Sequence, residues 1–183
     1  MRKTLSILCT ALFALWSIEN PRLGALRTHG VLPELYEKLD VPWFRALDIA
    51  TVIDIGAYVG RFAATMHAMF PNARIYAFEP LADCFAKLRE RSRWIPRLTP
   101  LNVALGDRAG VTSFERNDFA PSSSVRRTSE LQRTAFRITR RSRTVMVRME
   151  RLDDVAGGLV IEGPLLVKLD VQGYEDAVLR GGA

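Results

Sequence analysis

The sequence predicts an α/β domain: a mainly parallel sheet with helices on both faces. Three observations carry that prediction. Strand-like and helix-like segments alternate from Thr51 onward. Several strand-like segments, "TVIDI" and "PLLVKLDV" among them, are almost continuously apolar, as strands covered on both faces are. The polar residues Asp54, Glu79, Asn102 and Asp170 fall at the carboxyl ends of such segments, where open parallel sheets bind ligands.

In chain order, a charge-free run from Thr4 to Ile18 follows Arg2 and Lys3 and stops at Asn20, before Pro21. Leu5, Leu8, Cys9, Leu12, Leu15 and Trp16 share one side of a helical wheel, and Ser6, Thr10, Ala14 and Ser17 the other. We read residues 4–19 as an amphipathic helix that packs on the protein or lies on a membrane surface. A signal-like reading stays open beside it. It is weakened by the absence of a small-x-small cleavage site and by a length short of the roughly 20 residues of a membrane span.

Short helical pieces follow at Pro33–Leu39 and Trp43–Leu47, so residues 1–50 form a helical segment ahead of a ligand-binding domain over 51–183. Thr51–Ile55 is the first strand. A helix from Gly60 to Phe70 carries Phe62, Met66 and Met69 or Phe70 on its apolar side and is broken by Pro71 and Asn72. "ARIYAFEP" is a second strand ending at Glu79. "LADCFAKLRERSRW" is a second helix, with acidic Asp83 at its start and basic residues at its end, as the macrodipole prefers. "LTPLNVALGD" reads as one third strand, and "GVTSFERN" as a strand leaving a turn. "APSSSVRRTSE" reads as a polar loop. "RTVMVRMERLDDV" holds another strand, with Asp153 and Asp154 capping a short helix after Leu152. "PLLVKLDVQGYEDAVLRGGA" is a buried strand, a turn and a helix start.

With 183 residues, 48% hydrophobic and 25% charged, the chain suffices for one domain with a real core. The two cysteines, Cys9 and Cys84, lack metal-ligand spacing and read as reduced, packed thiols. The net charge of +6 concentrates at Arg126, Arg127, Arg133, Arg137, Arg140, Arg141, Arg143, Arg148 and Arg151. A solvated loop and strand face is favoured over a surface for an anionic partner. Only Phe136 interleaves with these arginines, so base stacking, and nucleic acid with it, has little support.

"TVIDIGAYVGRFAA" is the glycine turn of the site. A P-loop needs Lys and Ser/Thr after its last glycine, and here Arg61 and Phe62 follow Gly60. The dinucleotide fingerprint needs a middle glycine for close approach of pyrophosphate, and Tyr58 stands there. S-adenosylmethionine (SAM) has no phosphate, and its sulfonium suits an acidic neighbour such as Asp54. Glu79, about 20 residues after Gly56, is placed to accept hydrogen bonds from two ribose hydroxyls. It supports a nucleoside without choosing between NAD and SAM.

These segments, with "LNVALGDRAG", the Ser122–Ser124 loop, "VRMERLDDV" and "LLVKLDVQGYEDAVLRGGA", occur together in one order. Over Thr51 to Ala183 the chain resembles the FkbM-type SAM-dependent methyltransferases. The resemblance implies a class I, Rossmann-like fold and O-methylation, often of sugar hydroxyls in glycans and natural products. It also implies that Asp54, Gly56, Ala57, Tyr58 and Gly60 line the methionine part of SAM, and that Glu79 and Pro80 hold the ribose. By the same resemblance Asn102, Val103 and Ala104 lie near adenine, Ser123 joins the site, and Asp170 faces the reactive end. The chain departs from the family at Tyr58, usually Asn, and at Gln172, usually Glu. Its N-terminal helices resemble family leader regions, which favours a cytoplasmic cap; membrane association through the apolar helix is the alternative.

Orientation of donor and acceptor can supply roughly 7–11 kcal/mol to such a transfer, and a general base about 3–5. The base candidates are Asp170, then Glu175 and Lys168; Asp170 equally suits the SAM amino group, and Lys168 equally suits a structural ion pair with it. His67 reads as an ordinary helix residue. Base N-methylation would need a D/N-P-P-Y/F segment where "DVQG" stands, and cytosine C5 methylation a cysteine at the strand ends, away from Cys84. No metal site is expected. Because such sheets carry strands beyond "PLLVKLDV", we expect a C-terminally truncated domain with an exposed apolar edge. The alternative function is a non-catalytic relic or nucleoside-binding module.

Overall fold

The structure, a computed structural model, describes residues 30–117 and 142–183. The 4–19 helix, Cys9, Ser123 and the arginines from Arg126 to Arg141 lie outside the described residues. No helix among the described residues is long and apolar enough to cross a membrane.

The described elements run α1 (Pro33–Leu39), α2 (Pro42–Arg45), β1 (Thr51–Ile55), α3 (Arg61–Met69), β2 (Arg74–Phe78), α4 (Ala82–Ser92) and β3 (Leu98–Leu101). They continue with β4 (Ala104–Gly106), β5 (Gly110–Asn117), β6 (Ser142–Arg151), α5 (Leu152–Ala156), β7 (Leu165–Leu169) and α6 (Glu175–Arg180). The first sheet has four parallel strands in the order β3-β2-β1-β7. The second has the order β4-β6-β5, with β4 parallel and β5 antiparallel to β6.

Local chemistry accounts for most of these elements. All five residues of β1 are buried, which its β-branched, apolar composition suits. Alternation then sorts the sheet into two faces. Val52, Ile75, Ala77 and Leu98 pack with Met66, Met69 and Leu88 and with Tyr36 and Phe44 of the leading helices. Ile53, Ile55, Tyr76 and Phe78 pack on the other face with Val103, Leu105 and Val178, backed by Leu152 and Val155. Helices therefore cover both faces, and each fully buried Val, Ile or Phe contributes on the order of 2 kcal/mol. α1 begins at Pro33, where a missing N–H costs nothing. α4 opens on Asp83 and closes on Arg89 and Arg91, and Asp83 also takes a bidentate pair from Arg116 of β5 at 2.6 and 2.7 Å.

Three sequence readings are corrected here. "LTPLNVALGD" is two strands in different sheets: β3 pairs with β2, and β4 pairs with β6. The break falls at Asn102, whose side-chain Nδ2 turns back to donate to the Glu79 and Pro80 carbonyls. Asp153 and Asp154 do not cap α5; they lie in its first turn, and Arg151 at the cap position makes no side-chain cap bond. β7 is not the buried strand its composition suggests but the exposed apolar edge also expected for it: it pairs only with β1 among the described residues, and Leu165 and Val167 are exposed.

β1 leads through α3 to β2 and on to β3 in one direction, while β7 joins β1 on the opposite side. The order therefore reverses between β1 and β7, and the carboxyl ends there form the crevice in which such sheets bind ligands.

Candidate functional site

A cavity of about 400 Å³ occupies that crevice, a volume suited to a nucleoside-sized ligand. Its walls come from the turn after β1 (Gly56, Ala57, Tyr58), the turn after β2 (Glu79, Pro80, Leu81) and the start of β4 (Val103, Ala104). Lys168, Asp170, Val171 and Tyr174 close it from the β7 side.

The turn after β1 is tight for a stated reason. Gly56 sits at φ +82, and a Cβ there would lie 2.1 Å from the Asp170 carbonyl oxygen. The Gly56 and Ala57 amides donate to Phe78 O at 3.1 and 2.9 Å. Tyr58 follows at φ +53, a conformation that costs a bulky residue roughly 1–2 kcal/mol. It packs beside Leu81, Cys84, Ala104, Phe114, Val147 and Met149.

Glu79 is the most constrained polar group of the cavity. Its side chain is buried, and it accepts hydrogen bonds from two backbone amides, Tyr58 N on Oε2 and Leu81 N on Oε1, both at 2.9 Å. Burial pushes its pKa up to about 7, against the two amide bonds that favour the carboxylate; the charges of Asp83 and Asp54 add to the rise. Each oxygen has a second lone pair, so the anchored carboxylate can still accept from a ligand.

Asp54 is fully buried and does not line the cavity. Alternation along β1 turns it to the face that carries Val52. There its Oδ1 lies 3.1 Å from Lys168 Nζ, an ion-pair distance without hydrogen-bond geometry, and its Oδ2 has no hydrogen-bond partner among the described residues. Burial raises the Asp54 pKa, and the Lys168 charge opposes that rise. Lys168 Nζ also donates to Gly56 O at 2.9 Å, lies 3.6 Å from Asp170 Oδ2 and stands 5.8 Å from the Phe62 ring centroid. Its ammonium thus ties the ends of β1 and β7 together, the ion-pair role the sequence allowed.

Other sequence candidates support the walls from behind. Asn102 clamps the Glu79–Pro80 backbone and does not reach the cavity. Glu175 Oε1 accepts from the Val171 and Gly173 amides, each at 3.2 Å, holding the turn after β7. Gly60 is the αL residue ahead of α3, at φ +76. Cys84 does not line the cavity, and burial pushes its thiol up to about 11. His67 is half-buried, with its pKa lowered by burial. Conversely, Leu32, Leu35, Arg61, Phe62, Phe114 and Tyr174 line the cavity without having been singled out for it. Arg61 had one local signal: it is a cation in the first turn of a helix, where the macrodipole favours an acid.

A parallel sheet with a cavity across its strand-order reversal, floored by a glycine turn and walled by a buried carboxylate, defines an α/β domain with its cavity where open parallel sheets bind ligands. The chain belongs to the methyltransferase FkbM domain family, whose family model matches residues 54–183. It is 27% identical over 166 residues to the 2-O-methyltransferase NoeI of Sinorhizobium fredii, covering 87% of this chain and 64% of that protein. It is 28% identical over 168 residues to the hexuronic acid methyltransferase AglP of Haloferax volcanii, covering 91% of this chain and 59% of that protein. The chain therefore spans 64% and 59% of the lengths of these two relatives. A crystal structure of a methyltransferase FkbM from Methylobacillus flagellatus aligns with a TM-score of 0.47 at 16% identity, over 82% of this chain and 36% of that one.

Proposed function

We propose that this chain carries the donor site of a SAM-dependent O-methyltransferase acting on a sugar hydroxyl. The observation that carries the reading is Glu79: a buried carboxylate at the end of β2, pinned by two amides, lining the cavity beside the Gly56 turn. That is the arrangement that accepts two ribose hydroxyls. Family membership and the names of NoeI and AglP, an O-methyltransferase and a methyltransferase of a sugar acid, support the rest of the reading.

The lining suits the donor part by part. Val103, Ala104, Leu105 and Phe78 offer an apolar slot for adenine. Tyr58, bulky where a pyrophosphate would approach, is no obstacle to a ligand without phosphate. At the other end stand groups for an amino-acid tail: Asp170 for its ammonium and Arg61 for its carboxylate. Asp54, already paired with Lys168, is not needed for the sulfonium.

When bound, SAM supplies an electrophilic methyl group: a C–O bond forms to the acceptor as the C–S bond breaks, its electron pair leaving on sulfur. The protein's part is chiefly to hold the partners in line, the larger of the two energetic terms. Asp170, with Gln172 as a hydrogen-bond donor and the Lys168 ammonium 3.6 Å away, suits a fixed anchor for an ammonium. The acceptor's proton then leaves to solvent.

Calorimetry with S-adenosylhomocysteine and with NAD, followed by an assay of S-adenosylhomocysteine release with uronic acid and neutral glycosides, tests the reading. Binding of the first ligand and not the second supports the donor site. Turnover on a glycoside supports the enzyme, and preference for NAD would refute both.

A further inference from the structure

We propose that Gln172 is a positioning residue that fixes the Asp170 carboxylate for the ammonium of the donor's methionine tail. The proposal rests on the donor site described above. Gln172 Nε2 donates to Asp170 Oδ1 at 2.6 Å, while Asp170 Oδ2 faces Lys168 Nζ at 3.6 Å. The carboxylate is thereby held from two sides at the rim of the cavity.

The shape of the turn does not require this amide. Glu175 clasps the turn through the Val171 and Gly173 amides, and Asp170 N donates to Ile55 O at 3.0 Å. Gln172 nevertheless sits at φ +56, ahead of Gly173 at φ +92. A glutamine is disfavoured there, and glycine or asparagine would serve the backbone better. Among the described residues, the only hydrogen bond of its amide is the one to Asp170. An unfavourable backbone conformation whose side-chain amide makes a single hydrogen bond among the described residues, to a cavity residue, points to the ligand and not to the fold. A free aspartate at that exposed rim would sample several rotamers. The amide restricts it to one, so less freedom is lost when an ammonium binds.

The test uses the full chain and two ligands. S-adenosylhomocysteine carries the amino-acid tail, and methylthioadenosine lacks it. Gln172→Gly suits the backbone and removes the amide; Gln172→Met keeps the side-chain length and removes the donor. Both are expected to melt close to the wild type, with the glycine variant no lower. Both should bind methylthioadenosine unchanged and S-adenosylhomocysteine about tenfold more weakly, the scale of one charge-assisted hydrogen bond. Asp170→Asn is the control and should show the same split. Equal weakening of both ligands in the Gln172 variants would mean a structural role and overturns the proposal. So would unchanged binding in those variants while Asp170→Asn loses affinity, which leaves the Asp170 anchor standing. If Asp170→Asn leaves S-adenosylhomocysteine binding untouched, the anchor itself is wrong and the positioning role falls with it.

Discussion

Glu79 reaches back across the sheet to Tyr58, its Oε2 2.9 Å from the Tyr58 amide nitrogen, while its other oxygen holds the Leu81 amide. One carboxylate thus joins the two turns that frame the cavity, and the consequences of that burial are measurable.

The pKa of Glu79 is raised to about 7 from 4.5. A raised acid means that the folded state binds its proton more tightly than the unfolded state. Its contribution to stability therefore falls as pH rises from about 4.5 to 7, by roughly 3 kcal/mol. Ligand binding should run the opposite way, because the ionised carboxylate is the better acceptor for ribose hydroxyls. Affinity for methylthioadenosine, which has no titrating tail, should weaken below pH 7 by up to about tenfold per unit. Glu79→Gln should flatten both profiles. Urea melts and calorimetry between pH 5.5 and 8.5 check them together; parallel trends would contradict this account.

Gly56→Ala should be severely destabilising, by about 3 kcal/mol, because the new methyl meets backbone: it would sit 2.1 Å from Asp170 O at φ +82. Gly60→Ala should cost less, about 2 kcal/mol, because φ +76 is strained but its methyl would meet the ends of the Leu88 and Arg91 side chains and no backbone. Denaturant midpoints of the two variants, with methylthioadenosine binding as a second readout, rank them.

Lys168→Met leaves the fully buried Asp54 without its counter-charge. Removing one partner of a buried pair costs about 3–5 kcal/mol. Asp54 has its pKa raised by burial, so the folded state of this variant takes up a proton more readily than the unfolded chain, and the deficit should shrink as pH falls. Adding Asp54→Asn should recover most of it. A double mutant no better than the single would show that the pair is not the cause.

Tyr58 isolates backbone strain. Tyr58→Ala and Tyr58→Gly both remove the ring, but only glycine removes the penalty of φ +53. The glycine variant should be the more stable by about 1 kcal/mol in matched urea titrations. Equal stability would mean that the turn relaxes once the ring is gone.

Much of the site was legible because it is local. Gly56, Ala57, Tyr58, Glu79, Pro80, Val103, Ala104, Lys168 and Asp170 all line the cavity, each within a few residues of a strand end that hydrophobic patterning marks. Asp54 is the instructive exception. It is in the glycine-turn motif, yet it is fully buried against Lys168, its register neighbour on β7, and Lys168 lines the cavity in its place. Motif membership was visible in the chain, whereas what covers Asp54 depended on which strand lies alongside. Asn102, expected near adenine, and Glu175, a base candidate, do not line the cavity and act through backbone groups of the turns.

The amino-acid sequence by itself determined the strands and helices of the parallel sheet, the glycine turn and the acidic residue that answers it. These follow from short-range sterics and from apolar periodicity, which act within a few residues. Tertiary structure alone decided that Leu32, Arg61, Phe114 and Tyr174 meet in one cavity, that "LTPLNVALGD" divides between two sheets, and that Gln172 locks Asp170. Those relationships join residues on separate elements or depend on the left-handed turn that presents them. Chain closure and packing set them, and no local pattern records either.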